Sequence, residues 1–170
     1  KTEETEVDII SFEPNEALHH HYADIPTELV PYGVSATTGK KLFTIDEIDS
    51  DGTTFVQSKP VDATRKVKNE EAPKTFWHCI DIAKIVNLAA EYYKDIILKL
   101  DVEGAEYEII ERLIDTQEIN KISKVYVEWH WEKCKFTEQY HNRIKKRIPN
   151  SIDIEPWDAF EYSTRNPQNR

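Results

Sequence analysis

The pattern of apolar and polar residues predicts strands and helices that follow one another along the chain. Short β-rich runs at 7–12, 28–33 and 75–78 are typical of strands. Asp81 is a suitable N-cap, and the apolar residues that follow it recur at helical spacing. These residues are Ile82, Ile85, Val86, Ala89 and Tyr93.

The second half of the chain continues the pattern. Residues 96–100 are mostly apolar, as expected for a strand in a sheet that is covered on both faces. A helix carrying Ala105, Ile109, Leu113 and Ile114 is predicted next, then a strand at 125–129. Tyr140, Ile144 and Ile148 mark a further helix that Pro149 closes. This alternation predicts an α/β fold with a largely parallel sheet.

Other segments predict local structure around this framework. Asn15 follows Pro14 and is expected to cap a helix that runs through Tyr22. Segments 41–45 and 53–57 flank an acidic turn and predict a hairpin. Residues 58–73 are polar and predict a loop. Segments 152–154 and 159–162 predict a closing antiparallel pair.

Length and charge limit the class of protein. A chain of 170 residues suits a single domain, 1–170, with a polar tail at 163–170. The net charge of −10 disfavours binding to nucleic acid. No apolar run of about 18 residues is present, so we expect no membrane span. Cys79 and Cys134 are interpreted as reduced thiols, which predicts a cytoplasmic protein.

Acidic residues gather where one strand passes into a helix. Asp101 follows the apolar strand, and Glu103 and Glu106 begin the next helix. Ligands of open parallel sheets bind beyond the carboxyl ends of the strands, so Asp101 is a candidate site residue. Gly104 allows the tight turn. Acids in a first helical turn also occur without a function, because the helix dipole favours them, and this is our interpretation of Glu106 and Glu108.

Segment 99–106 (KLDVEGAE) closely resembles the signature of FkbM-type methyltransferases, a branch of the class I fold. Further resemblances fall in the family's order over residues 7–131: segments 11–15 (SFEPN), 32–36 (YGVSA), 53–55 (TTF), 79–81 (CID) and 125–130 (VYVEWH). The resemblance implies a Rossmann-like domain with a mainly parallel sheet, helices on both faces and an antiparallel C-terminal pair. It also implies S-adenosylmethionine as the cofactor.

The resemblance assigns roles to individual residues. Glu13 would accept hydrogen bonds from the ribose hydroxyls of the cofactor, and Ser35 and Ala36 would lie beside the adenine. Asp101 and Glu103 would face the methyl donor or the acceptor hydroxyl. Glu128 and His130 end the next strand and could reach the same crevice. Glu13 could instead be an ordinary solvated acid at a strand end.

The implied reaction is transfer of a methyl group from a sulfonium to a hydroxyl oxygen of a small molecule or a sugar. Asp101 or His130 would act as the base. An alternative interpretation makes His130 an imidazole packed between Trp129 and Trp131. The residues predict no metal site, since the adjacent residues of the triplet His19, His20 and His21 cannot readily chelate one ion on a helix.

In the family a first strand and a glycine-rich turn come before the Phe-Glu-Pro segment. Eleven residues precede Phe12 here, and residues 1–6 are polar, so they cannot supply both features. We expect this unit to lie outside the sequence. Two alternatives remain open: a methyltransferase-like domain without catalysis, and a metal-dependent glycosyltransferase that uses the acidic motif at Asp101 and Glu103. The acceptor and the oligomeric state cannot be read from the residues.

Overall fold

The computed structural model describes residues 7–46, 52–56 and 72–157. Within these ranges the strands are β1 (Ile10–Phe12), β2 (Glu28–Val30), β3 (Gly33–Ser35), β4 (Gly39–Thr44), β5 (Lys74–Asp81), β6 (Ile97–Leu100), β7 (Lys124–Val127) and β8 (Asp153–Pro156). The α-helices are α1 (Ile82–Ala89), α2 (Glu106–Asp115) and α3 (Glu138–Arg147). Two 3-10 helices span Glu16–Tyr22 and Glu118–Lys121. None of the helices described is long and apolar enough to cross a bilayer.

The described strands form three sheets. Strands β1 and β2 pair in parallel, and β6, β7 and β8 form a second, entirely parallel sheet in that order. In the third sheet β5 lies between β3, which is parallel to it, and β4, which is antiparallel. The predicted α/β fold with mainly parallel pairing is therefore confirmed at this level. No described strand joins the three sheets into the single sheet of a Rossmann-like fold.

The predicted hairpin is confirmed only in part within the described residues. Strand β4 pairs with β5 from Gly39 to Thr44, while the segment after the acidic turn contributes one bridge, between Thr44 and Thr54. The two pairings do not exclude each other, because Thr44 hydrogen-bonds with Thr54 while it also lies opposite Lys74 of β5. The pairing with β5 is longer and includes an aromatic contact. The ring of Phe43 lies 4.9 Å from that of Trp77. Gln57 and most of the predicted loop lie outside the described residues.

The end of the chain has a pairing that was not predicted. Strand β8 begins within the predicted segment 152–154 and pairs in parallel with β7, with Lys124 opposite Asp153. The predicted partner at 159–162 lies outside the described residues. Near the start, Asn15 caps as predicted, because its side chain accepts a hydrogen bond from the Ala17 N–H, although the helix is of the 3-10 type.

Helix α2 is the centre of the hydrophobic core. Its Tyr107, Ile109, Ile110 and Leu113 are at most 1% exposed. These side chains belong to one cluster with residues from α1, α3 and the sheet of β6 and β7, namely Ile82, Val86, Leu100, Val125, Val127 and Ile144. The helical spacing of apolar residues thus fixes α2 against the strands, and with it the turn that connects β6 to α2.

That turn has an unusual backbone. Glu103 has φ 53° and Gly104 has φ 104°, so two successive residues occupy the left-handed side of conformational space. A Cβ atom on Gly104 would overlap Sγ of Cys134 and would lie 3.4 Å from a methyl carbon of Val56. The Thr54 hydroxyl donates a 2.7 Å hydrogen bond to the carbonyl of Glu103. The predicted need for glycine at position 104 is therefore confirmed.

We expect Gly104→Ala to lower the free energy of unfolding by about 2–4 kcal/mol, because it adds backbone strain to a steric overlap. Urea denaturation measures this loss. Gly39→Ala is the control, since Gly39 also has a positive φ of 148° but a Cβ there meets nothing within 4 Å. It should cost about 1 kcal/mol. Equal losses in the two variants would contradict the steric argument.

Asp81 joins α1 to α2. Its Oδ1 accepts a hydrogen bond from the Ala83 N–H, which caps α1 as predicted. The guanidinium of Arg112 donates to both carboxylate oxygens, at 3.2 and 2.7 Å. Burial alone would raise the pKa of Asp81, but Arg112 and the Ala83 N–H outweigh it and hold that pKa below its ordinary value.

Asp81→Asn keeps a capping oxygen but loses the ion pair. We expect it to lower the free energy of unfolding by about 1–2 kcal/mol at pH 7, a modest loss because Arg112 is partly solvated. The pKa of Asp81 is lower in the folded state than in the unfolded state, so the ionised carboxylate stabilises the fold at every pH above the unfolded-state pKa. This stabilisation is lost as the pH falls from the unfolded-state pKa through the folded-state pKa. The stability gap between wild type and variant should therefore narrow below about pH 4. Urea unfolding from pH 7 to pH 3 measures the gap. A gap that is independent of pH would contradict the ion-pair account.

Candidate active site

The predicted site residues lie at the carboxyl ends of parallel strands. Glu13 directly follows β1, Asp101 directly follows β6, and Glu128 and His130 follow β7. Since β6 and β7 are parallel neighbours, Asp101 and Glu128 come to the same edge of their sheet. The structure thus brings together Asp101, Glu128 and His130, whose nearest ligand atoms all lie within 4.8 Å of one another.

Tyr22 lies within electrostatic range of the ends of two sheets. It lies at the end of the 3-10 helix that follows β1, and it is half-buried. Burial raises the pKa of its hydroxyl, and the negative charges of Glu13 and Asp101 raise it further. The end of β1 and the end of β6 therefore face a common region around Tyr22. We call this region the strand-end crevice.

Asp101 is the more accessible of the residues on the β6 side. Its side chain is 32% exposed, and its Oδ2 accepts a 3.2 Å hydrogen bond from the ammonium group of Lys99. The same ammonium group lies 4.9 Å from the ring centre of Trp157, which follows β8. Asp101 is thus held in the crevice and can still meet a molecule that arrives from solvent.

His130 lies behind Asp101 in a nearly closed environment. It is 1% exposed, and its Nδ1–H donates a 2.8 Å hydrogen bond to Oε1 of Glu106. Its Nε2 lies 3.4 Å from Oε1 of Glu128 and 3.6 Å from Oε2 of Glu103. Burial lowers the pKa of His130, but the hydrogen bond and charge of Glu106 and the charge of Glu103 raise it above its ordinary value.

Glu106 fixes this arrangement. It is fully buried, and its Oε1 also accepts hydrogen bonds from the N–H groups of Val102 and Gly104, at 3.2 and 3.1 Å. One carboxylate therefore ties the backbone of the turn after β6 to the imidazole after β7. The interpretation of Glu106 as an ordinary helix-start acid was wrong, because its side chain points back to the preceding turn and not outward.

Glu128 carries a raised pKa. Burial is the main cause, and the charge of Asp101 adds to it, while the charges of His130 and Lys133 oppose it. A carboxyl group held among other carboxylates takes up a proton more readily than a solvated one. The crevice is therefore a region of strong negative potential on the side of β6 and β7.

Ser35 and Ala36, predicted to lie beside the adenine, occupy the end of β3 next to α2. The Ser35 side chain is fully buried and donates a 2.7 Å hydrogen bond to the Thr37 carbonyl. The Ala36 N–H donates to Oε1 of Glu108 at 3.0 Å, so Glu108 also has a specific partner. The described contacts do not connect these two residues with Asp101 or His130, and their role at the cofactor stays a prediction.

The alternative interpretation of His130 as an imidazole packed between two tryptophans was wrong. His141, not His130, packs against the indoles, with ring centres 5.0 Å from Trp129 and 5.6 Å from Trp131. In the triplet, His19 donates to the carbonyl of Glu13 and His20 to that of Ala17. These two rings thus serve separate backbone groups.

A cavity of about 290 Å³ lies away from the crevice, at the amino end of β1. Residues 7–10 and 26–28 line it together with Tyr93, whose hydroxyl donates a 2.9 Å hydrogen bond to Oδ2 of Asp8. Ligand sites of parallel sheets lie at the opposite, carboxyl ends of the strands. The cavity is therefore not the candidate active site.

The roles of Tyr22 and Glu106 were not predicted. Tyr22 carries no signal in the sequence, because its position near Asp101 depends on the tertiary fold. Glu106 had a usable signal. A glutamate two residues after a glycine in a strand-to-helix turn can reach back to unpaired backbone N–H groups of that turn.

We expect Glu106→Gln to lower the free energy of unfolding by about 1–3 kcal/mol. The amide keeps one acceptor but places an NH₂ group, in a fully buried position, where an acceptor stood. Urea denaturation at neutral pH measures the loss. Glu108→Gln is the matched control on the same helix, because it affects one hydrogen bond in a partly exposed position, and it should cost less than about 1 kcal/mol. A smaller loss for Glu106→Gln than for Glu108→Gln would contradict the anchoring role.

Acidic residues at the carboxyl ends of parallel strands occupy the position at which open-sheet α/β domains bind their ligands. The family model of the methyltransferase FkbM domain matches residues 2–151. The chain therefore belongs to the FkbM methyltransferase family, which favours a methyltransferase over the glycosyltransferase alternative. Neither the curated proteins nor the solved structures contain a significant match to the chain.

Proposed function

We propose that the protein is an S-adenosylmethionine-dependent O-methyltransferase that acts on a hydroxyl group of a small molecule or a sugar. Membership of the FkbM family supports methyl transfer. The observation that carries the proposal is the strand-end crevice, where the charges of Glu13 and Asp101, at the ends of strands in two different sheets, both act on the hydroxyl of Tyr22.

The residues of the crevice suit this cofactor chemically. S-adenosylmethionine carries two ribose hydroxyls and a positively charged sulfonium, and it supplies the methyl group. Glu13 is half-buried at the end of β1, where a carboxylate can accept hydrogen bonds from both hydroxyls. Asp101 and Glu103 place negative charge on the other side of the crevice, which favours a sulfonium there.

Asp101 is the better placed of the two candidate bases. A base must come within about 2.6–3.2 Å of the hydroxyl proton that it accepts. The side chain of Asp101 is 32% exposed, whereas that of His130 is 1% exposed. We propose that a carboxylate oxygen of Asp101 accepts the proton of the acceptor hydroxyl. Glu106 and His130 hold the turn on which Asp101 lies. Such a base contributes about 10²–10⁴-fold to the rate.

The charge of the protein favours the proposed acceptor class. Its net charge of −10 repels a phosphate backbone, and the crevice itself is acidic. An uncharged hydroxyl compound meets no such repulsion. We therefore propose a small-molecule or carbohydrate acceptor and no nucleic acid.

Calorimetric titration with S-adenosylhomocysteine tests cofactor binding directly. We expect the protein to bind it, and we expect Glu13→Gln to weaken binding about 10–100-fold, since hydrogen bonds to a charged acceptor are lost. Glu16→Gln is the control, because Glu16 is an exposed acid three residues away. Absence of binding by the wild type would refute the proposal. Equal affinities of the two variants for S-adenosylhomocysteine would show that Glu13 does not bind the cofactor.

A further inference from the structure

His130 has an unused ring nitrogen in a buried position. The residue is 1% exposed, and Nε2 makes no hydrogen bond within the described part of the chain. Oε1 of Glu128 lies 3.4 Å from Nε2, and the nearest ligand atoms of Asp101, Glu128 and His130 all lie within 4.8 Å of one another. Buried polar atoms without a hydrogen bond are rare in folded proteins, so Nε2 is available to a ligand at this point.

Glu106 decides which tautomer His130 adopts. A carboxylate accepts hydrogen bonds and cannot donate them when ionised, so the 2.8 Å contact requires the proton on Nδ1. A neutral His130 then presents the lone pair of Nε2 to the carboxylates of Glu128 and Asp101. The lone pair of a neutral Nε2 and these two carboxylates repel one another unless a proton or a metal ion lies between them.

The charged side chains around His130 also favour a cation. Asp101, Glu103, Glu106 and Glu128 surround the imidazole, and among the described residues Lys99 and Lys133 act on this group. A group of carboxylates around a buried imidazole favours the binding of a cation.

We propose that Asp101, Glu128 and His130 form a binding site for a divalent cation of the Mn²⁺ or Zn²⁺ class. Imidazole and carboxylate together suit these ions. Two ligand atoms at about 2.1 Å from a metal ion, separated by a tetrahedral angle, are about 3.4 Å apart, which is the observed Nε2–Oε1 separation. Three protein ligands leave a coordination position open, as in catalytic sites.

Two further features shape this site. Glu106 holds the other nitrogen of the imidazole, an arrangement typical of metal-bound histidines, in which an outer carboxylate fixes the ring. Lys99 binds Oδ2 of Asp101 at 3.2 Å, so the cation uses the other oxygen of that carboxylate, and Oδ2 remains the oxygen that can accept the proton of the acceptor hydroxyl. Cation binding does not rest on the proposed function. Its role there, to hold the acceptor hydroxyl at the open position, does rest on it.

Titration of the full protein with Mn²⁺ alone, followed by the loss of the free-ion signal in electron paramagnetic resonance, tests the site. We expect one bound ion per chain, with affinity about tenfold or more weaker in both Asp101→Asn and Glu128→Gln. Glu106→Gln, which removes no ligand, should weaken it about 10–100-fold. Mn²⁺ is the probe because the surface triplet His19, His20 and His21 would attract softer ions.

Glu111→Gln is the matched control. The side chain of Glu111 is 30% exposed, close to the 32% of Asp101 and the 29% of Glu128, but it lies on α2 and pairs with Arg147. Its affinity for Mn²⁺ should equal that of the wild type. No binding by the wild type, or equal binding by all variants, would overturn the site. The titration with Mn²⁺ tests the cation site, and the titration with S-adenosylhomocysteine tests cofactor binding. Failure of one proposal can therefore be told apart from failure of the other. Circular dichroism shows that each variant is folded.

Discussion

The hydrogen bonds of one buried carboxylate organise the candidate site. Glu106 accepts from the backbone of the turn after β6 and from the imidazole after β7, so two neighbouring strand ends share one anchor. The left-handed backbone at Glu103 and Gly104 brings the peptide N–H groups to that carboxylate. The position of Asp101, the tautomer of His130 and the acidity of the crevice all depend on this contact.

The sequence predicted elements whose signals are local. The N-caps Asn15 and Asp81, the apolar strand before Asp101 and the helical spacing of α2 act over a few residues, and each was found in its place. The motif at 99–106 identified the family for the same reason, because its residues serve one continuous turn. Gly104 could be predicted since a turn this tight excludes a side chain.

Long-range relations could not be predicted in the same way. The main partner of β4 is a strand some thirty residues further along, and Phe43 packs against Trp77 across that pairing. The parallel pairing of β8 with β7 also depends on contacts distant in sequence. At the site, the contact of His130 with Glu106 joins residues 24 apart, so the partners of the imidazole could not be inferred from the tryptophans beside it in the chain.

The crystal structure of the protein with S-adenosylhomocysteine tests the central claim most directly, which is that the crevice between the ends of β1 and β6 holds the cofactor. It should show the ribose hydroxyls within hydrogen-bond distance of the Glu13 carboxylate and the sulfur facing Asp101. A ligand bound elsewhere, for example in the cavity beside Tyr93, with Glu13 and Asp101 both in contact with solvent alone, would contradict the claim.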